Sequence, residues 1–128
     1  KMPEAQGMFL SFPGLTNQDL RAQGGAAAKL LDAYKAKYGD DPATSYALYG
    51  VAAIQVILQA IQQSDGTRAS ITSQVFTAPG ITIPQDVSAI GKELKIDPTT
   101  GDVNLRDMTI EVVQGNQETT LKSWPVTG

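Results

Sequence analysis

"YGDDPATSYALYGVAAIQVILQAIQQSDGTR", residues 38–68, is the stretch on which the reading of this 128-residue chain turns. From Thr44 to Ser64 it carries no charge, and Gly39, Pro42 and the polar run Ser64-Asp65-Gly66 frame it. The spacing predicts one long helix between those breakers. On a helical period Ala47, Val51, Ile54, Leu58 and Ile61 form one ridge, and Ala53, Val56, Ile57 and Ala60 form a second beside it. Only the glutamine side is left to face water. A helix apolar over so wide an arc is normally covered twice, by a sheet beneath and a helix alongside. At about 1.5–3 kcal/mol per buried aliphatic side chain, Val51, Ile54, Val56, Ile57, Leu58 and Ile61 would contribute on the order of 10 kcal/mol before entropy is subtracted. The segment is therefore the expected core.

Upstream, "AAAKLLDAYKAKY" (Ala26 to Tyr38) places Ala27, Leu30, Leu31, Tyr34 and Tyr38 on one stripe, with Gly39 positioned to end the helix. Before it, Thr16 to Gly25 reads as a loop with a single helical turn: Thr16 and Asp19 are spaced as a variant capping box, and Gly24-Gly25 interrupts what they start. "GMFLSF" (Gly7 to Phe12), stopped by Pro13-Gly14, has the pattern of a buried strand ending in a turn. Downstream, Thr67 caps a third helix, "RASITSQVF", with Ile71, Val75 and Phe76 inward. "GITIPQDVSAIGKELKID" mixes β-branched residues with Pro84 and Gly91 and reads as irregular or edge-strand material. "DPTTGD" (Asp97 to Asp102) is a tight turn. "DMTIEVVQG" and "TTLKSWPV" form a hairpin across "QGNQ", with Met108, Ile110 and Val112 alternating against Thr109, Glu111 and Val113.

Hydrophobic residues make up 41% of the chain and charged residues 18%, which is a globular composition somewhat poorer in charge than the usual quarter. The length suits one domain with its own core. A net charge of -3 gives no attraction to phosphate backbones or anionic lipid surfaces, so no nucleic-acid partner is expected. With neither Cys nor His, the chain lacks disulfides, thiolates, the commonest general base and the commonest transition-metal ligand. No metal and no cofactor is expected. The serines have no histidine, the carboxylates form no evident pair, and "QGGAAAK" follows a loop and lacks the spacing of a phosphate-binding loop. Catalysis is not expected either. Gln55, Gln59, Gln62 and Gln63 interrupt the best apolar run before it reaches the roughly 20 residues of a membrane span. The opening "KMPEAQGMFLSF" shows no targeting leader and reads as an internal cut.

Taken in order, a strand, a Pro-Gly turn, "YKAKYGDDPATSYALYG", the long helix, a short helix after a polar turn and "DPTTGDVNLRDMTIEVVQG" resemble the last third of the branched-chain amino acid type substrate-binding proteins of ABC transporters. Those are type I periplasmic binding proteins. The resemblance covers nearly the whole chain and rests on order and spacing. It implies an α/β fold: a C-terminal fragment of a two-lobed binding fold, with three helices, a few strands and a C-terminal β-hairpin. In that family two lobes joined by three crossings close on a small ligand like a clamshell. Residues 1–14 would then be a strand of the second lobe, 15–104 the helices and irregular segment of the first, and 105–128 the second-lobe hairpin. Crossings would lie near Pro13 to Thr16 and near Asn104 to Asp107.

The same resemblance implies that the long helix lies against a parallel sheet whose strands come from elsewhere in a longer parent. In isolation the piece is expected to dimerise or exchange strands. The implied function is capture of an amino acid or similar small molecule, in the periplasm or outside the cell, and its delivery to the membrane permease of an ABC transporter. A lipid anchor on the parent is left open. A sensory or regulatory ligand-binding domain of the same fold is the alternative. The family often places Tyr-Asp-Ala or Tyr-Glu-Ala at the start of the long helix, with the tyrosine reaching the cleft. Here that place reads Val51-Ala52-Ala53, and Tyr49 lies two residues earlier, roughly 200° around the helix. Tyr49 and Tyr46 are thus the candidate ligand contacts, against a plainer reading in which their rings pack and their hydroxyls meet water. Asp97 and Asp102 lack the remaining oxygens of a calcium loop and read as turn residues. Asp40-Asp41 reads as a solvated helix approach, and Trp124 as a staple for the last strand.

Overall fold

Four α-helices and five strands make up the computed structural model, which describes residues 3–126. After a short 3-10 turn at Pro3–Ala5 come β1 (Phe9–Phe12), α1 (Asn17–Gln23), α2 (Gly25–Tyr38), α3 (Tyr46–Gln63), α4 (Arg68–Phe76), β2 (Thr82–Ile83), β3 (Leu94–Lys95), β4 (Asp107–Gln114) and β5 (Gln117–Pro125). The strands form two antiparallel sheets, ordered β1-β4-β5 and β2-β3.

The first helix is one more than the spacing predicted. Thr16 Oγ1 accepts from the Asp19 amide at 3.2 Å, and the Asp19 carboxylate accepts from the Thr16 amide at 3.0 Å. That completes a capping box, with Asp at the position Glu usually takes. Leu20, fully buried, ties the helix to the core, so residues read as a loop with one turn are a seven-residue helix. In α2, Gly39 at φ 88° ends the helix and its amide donates to Lys35 O at 2.8 Å. Ala27 and Leu31 are buried as expected, whereas Tyr34 and Tyr38, further along the same stripe, are exposed because the last turns run past the core.

The expectation for α3 is reversed in its details. Its buried residues are Leu48, Ala52 and Ala60, while Ile54, Ile57 and Leu58 are 56%, 54% and 53% exposed, with Val51 and Ile61 also outward. Small alanines let the segment 81–90 approach, and it covers that narrow face. Gln55, expected in water, turns to this side: Nε2 donates to Val87 O at 2.7 Å and Oε1 accepts from the Ala89 amide at 2.9 Å. One side chain so satisfies two backbone groups of a segment that has little sheet of its own. The stabilisation of about 10 kcal/mol anticipated from the aliphatic ridges is therefore mostly unrealised within this chain.

The segment read as irregular or edge strand is that, with only Thr82–Ile83 and Leu94–Lys95 in strands, and it is also core material. Ile81 is fully buried, Ile83, Ile90 and Leu94 nearly so, and they join Leu20, Leu31 and Leu48 in the main apolar cluster. Helix α4 matches its predicted bounds and cap, with Thr67 Oγ1 accepting from the Ser70 amide at 3.2 Å, but Phe76 faces outward at 55% exposure.

In the larger sheet β1 pairs with β4 from Phe9↔Val112 to Phe12↔Thr109. β1 is an edge strand, exposed along most of its length with only Phe12 buried, and not the buried strand its composition suggested. β4 and β5 meet through Gly115 and Asn116, both with positive φ of 59° and 65°, as a type I′ turn requires. Pairing jumps from Ile110↔Lys122 to Glu111↔Thr120, leaving Leu121 extra on β5. The bulge lies on β5 and leaves the alternation of β4 intact: Thr109 and Val113 share one face of the strand, Val112 lies on the other, and all three are buried. Phe12, Val112 and Val113 are buried but lie outside the main apolar cluster. The sheet and the helical layer do not share that core.

Candidate functional site

The two layers face each other across an open cleft of about 930 Å³. One wall is α1, through Asn17, Gln18 and Arg21, with the loop Asp40 to Ser45; the other is Glu111 and the hairpin end Asn116 to Thr120. The volume lies within the range of small-molecule sites. Hydrogen bonds fix the first wall: the Asn17 amide donates to Ser45 Oγ at 2.9 Å, and Asn17 Nδ2 to Pro42 O at 3.1 Å. Arg21 binds Asp32 at 2.7 Å and Asp41 at 2.5 Å, fastening the loop to α1 and α2. Asp41, read as solvated, is thus an anchor of the wall.

Phe12 lines the cleft, and both candidate tyrosines pack on it. Tyr46 is 56% exposed, its ring edge-on to Phe12 at 4.8 Å; Tyr49 meets Phe12 edge-on at 5.9 Å. Neither tyrosine lines the cleft itself. The Tyr49 hydroxyl accepts from the Leu15 amide at 2.6 Å and donates to Leu15 O at 3.3 Å. Burial pushes its pKa up, more than the bond to Leu15 draws it down. Tyr49 therefore stays protonated at neutral pH and holds the chain where β1 gives way to α1.

On the opposite wall, burial raises the pKa of Glu111, and the negative charges of Glu118 and Asp19 raise it further. Sequence reasoning passed over Glu111, and also a half-buried polar line beside it. Thr16 and Thr120 hydroxyls meet at 2.7 Å, Ser123 Oγ donates to Asp19 Oδ2 at 2.8 Å, and Thr109 Oγ1 donates to Gly14 O at 2.6 Å. Only the Thr16-Asp19 spacing signalled any of it. On the far side of α1 a smaller groove of about 370 Å³ runs between Asp19, Lys92, Asp107 and Trp124. There Lys92 Nζ reaches both Asp107 oxygens, at 2.7 and 2.9 Å. Among the described residues no group of three or more metal-ligating side chains occurs, and no helix is long and apolar enough to cross a membrane.

No family model and no curated protein matches the sequence. Among solved structures, the leucine-binding protein LivK of Thermotoga maritima MSB8 is similar, with a TM-score of 0.69 over 94% of this chain and 31% of that one, at 20% identity. The fold is that of part of a type I periplasmic binding protein. It is the α/β fold the sequence pattern implied, with four helices in place of three. The chain spans less than a third of that neighbour, whose name describes binding and not catalysis.

Proposed function

We propose that this chain is the C-terminal part of a two-lobed solute-binding protein that captures an amino acid or similar small molecule and presents it to the membrane permease of an ABC transporter. Residues 15–104 belong to one lobe, and 1–14 with 105–128 to the other. The polypeptide crosses between them near Pro13 to Thr16 and Asn104 to Asp107. The observation that carries the proposal is the cleft, of small-molecule size, lying between those two parts in a chain whose fold matches part of a leucine-binding protein. Two further features support it. Phe12, Val112 and Val113 are buried apart from the helical core, and α3 offers an open aliphatic side of the kind a parallel sheet covers.

Binding works by population shift: a solute touching both walls favours the closed arrangement by its extra contacts there. Tyr46, exposed beside Phe12, is the proposed ligand contact. Tyr49 contributes through its ring and by fixing Leu15. The role is binding, not catalysis, and it is exercised in the periplasm or outside the cell.

Calorimetry tests the proposal on the polypeptide that carries this chain together with the rest of the clamshell. Titrated with a panel of amino acids, it should bind one chemical class at one solute per chain, and Tyr46→Ala should weaken binding about tenfold, near 1.4 kcal/mol. Silence across the panel would remove the amino acid reading.

A further inference from the structure

We propose that Asp19 is the pivot of a hinge: a positioning residue whose carboxylate, with Thr16, Thr120, Ser123 and Thr109, clasps the β-hairpin to α1 and sets how far the cleft opens. The functional meaning of that opening rests on the cleft being the solute site, whereas the clasp itself does not.

Asp19 Oδ2 accepts three hydrogen bonds. Two come from the start of its own helix, the Thr16 amide at 3.0 Å and the Thr16 hydroxyl at 2.8 Å; the third comes from Ser123 Oγ on β5 at 2.8 Å, 104 residues away. Because Thr16 gives its proton to Asp19, the 2.7 Å contact with Thr120 is donated by Thr120. Gln18 adds one bond, its Oε1 accepting from the Thr120 amide at 3.2 Å. The join of α1 to β5 is therefore a row of polar contacts beginning at the capping box, with a groove open on either side, about 930 Å³ on one and 370 Å³ on the other. A polar row flanked by space can part without tearing an apolar core.

The clasp has fewer protons than close oxygen contacts. Thr109 Oγ1 lies 2.6 Å from Gly14 O and 2.8 Å from Ser123 Oγ, which lies 2.8 Å from Asp19 Oδ2. Gly14 O and the Asp19 carboxylate only accept, and each hydroxyl has one proton, so three contacts share two protons. In every arrangement one close oxygen pair has no hydrogen between its atoms. Swinging the hairpin away from α1 relieves that pair, while Asp19 keeps both bonds to Thr16 and α1 stays capped. The fixed half of the hinge is thus the capping box, and the exchangeable half is Ser123 and Thr120.

The chain has no cysteine, so Ala43→Cys and Gln117→Cys, both exposed and lining opposite walls of the cleft, place one spin label on each wall for distance measurement by pulsed electron resonance. At dilutions where the chain is monomeric, the unmodified clasp should give one narrow distance. Ser123→Ala with Thr120→Val should broaden it towards longer values at unchanged helix content, and Ser123→Ala alone should do so in part without lowering the melting temperature, since it removes the surplus oxygen. Ser123→Thr should restore the narrow distance. Ser73→Ala, which removes a surface hydroxyl pair on α4, should change nothing. An unchanged distance in the folded Ser123→Ala protein, or an equal change in Ser73→Ala, would overturn the hinge. These readings need no solute, so they stand or fall separately from the calorimetric panel.

Discussion

A Cβ on Gly14 would collide with the Tyr49 hydroxyl, at a backbone φ of 140° that side chains rarely adopt. Strain and clash act together there, so Gly14→Ala should destabilise by about 1–3 kcal/mol. Tyr49→Phe keeps the ring on Phe12 but leaves the Leu15 amide without its acceptor, and should also cost about 1–3 kcal/mol by denaturant titration. Glu111 gives a prediction in pH. Its folded pKa is raised, so the stability it contributes is complete below its ordinary value of 4.5 and is lost as pH rises through the raised one. Glu111→Gln should therefore raise the melting temperature near neutral pH and lose that advantage in acid. Of these residues the sequence pointed to Tyr46 and Tyr49, through helix position and family likeness. It could not point to Ser123 or Thr120, because a hydroxyl that bonds a carboxylate 104 residues away leaves no local pattern.

At the scale of elements, α3 shows what periodicity can and cannot tell. Its extent was plain, because breakers and an uncharged run mark helices well. Which face its own chain would cover was not, since an apolar arc records burial without naming the partner. Ile54→Gln and Leu58→Gln should each change the stability of this chain by no more than about 0.5 kcal/mol. Leu31→Ala, in the closed part of the core, should cost about 2–5 kcal/mol. The two outcomes, read by the same denaturation assay, separate the open side from the filled one. Helix α1 was understated because Gly24-Gly25 follows it closely, yet the capping box and Leu20 suffice to hold seven residues. The stretch 81–96 is the irregular, edge-strand material its sequence suggested, but its burial was not legible. Short strands broken by Pro84 and Gly91 have no clear period, and the bonds from Gln55 that hold the loop between them, at Val87 and Ala89, leave no local pattern.

At the scale of the whole molecule, the chain presents a helical layer with its own core, a small sheet joined to it largely through polar contacts, and an aliphatic helix side left open. Open sides of this kind favour association. Light scattering on the 128-residue chain should therefore find dimers or larger species, with the paired change Ile54→Gln and Leu58→Gln shifting them towards monomer. In a two-lobed protein the same side should be closed by a sheet. Radical footprinting of Ile54, Ile57 and Leu58, made on the chain alone at dilutions where it is monomeric and again on the longer two-lobed polypeptide proposed to contain it, compares the two directly. Strong modification in the first and at least tenfold protection in the second is the expected result. Protection already present in the lone monomer, or equal modification in both, would mean that no sheet was ever meant to lie there.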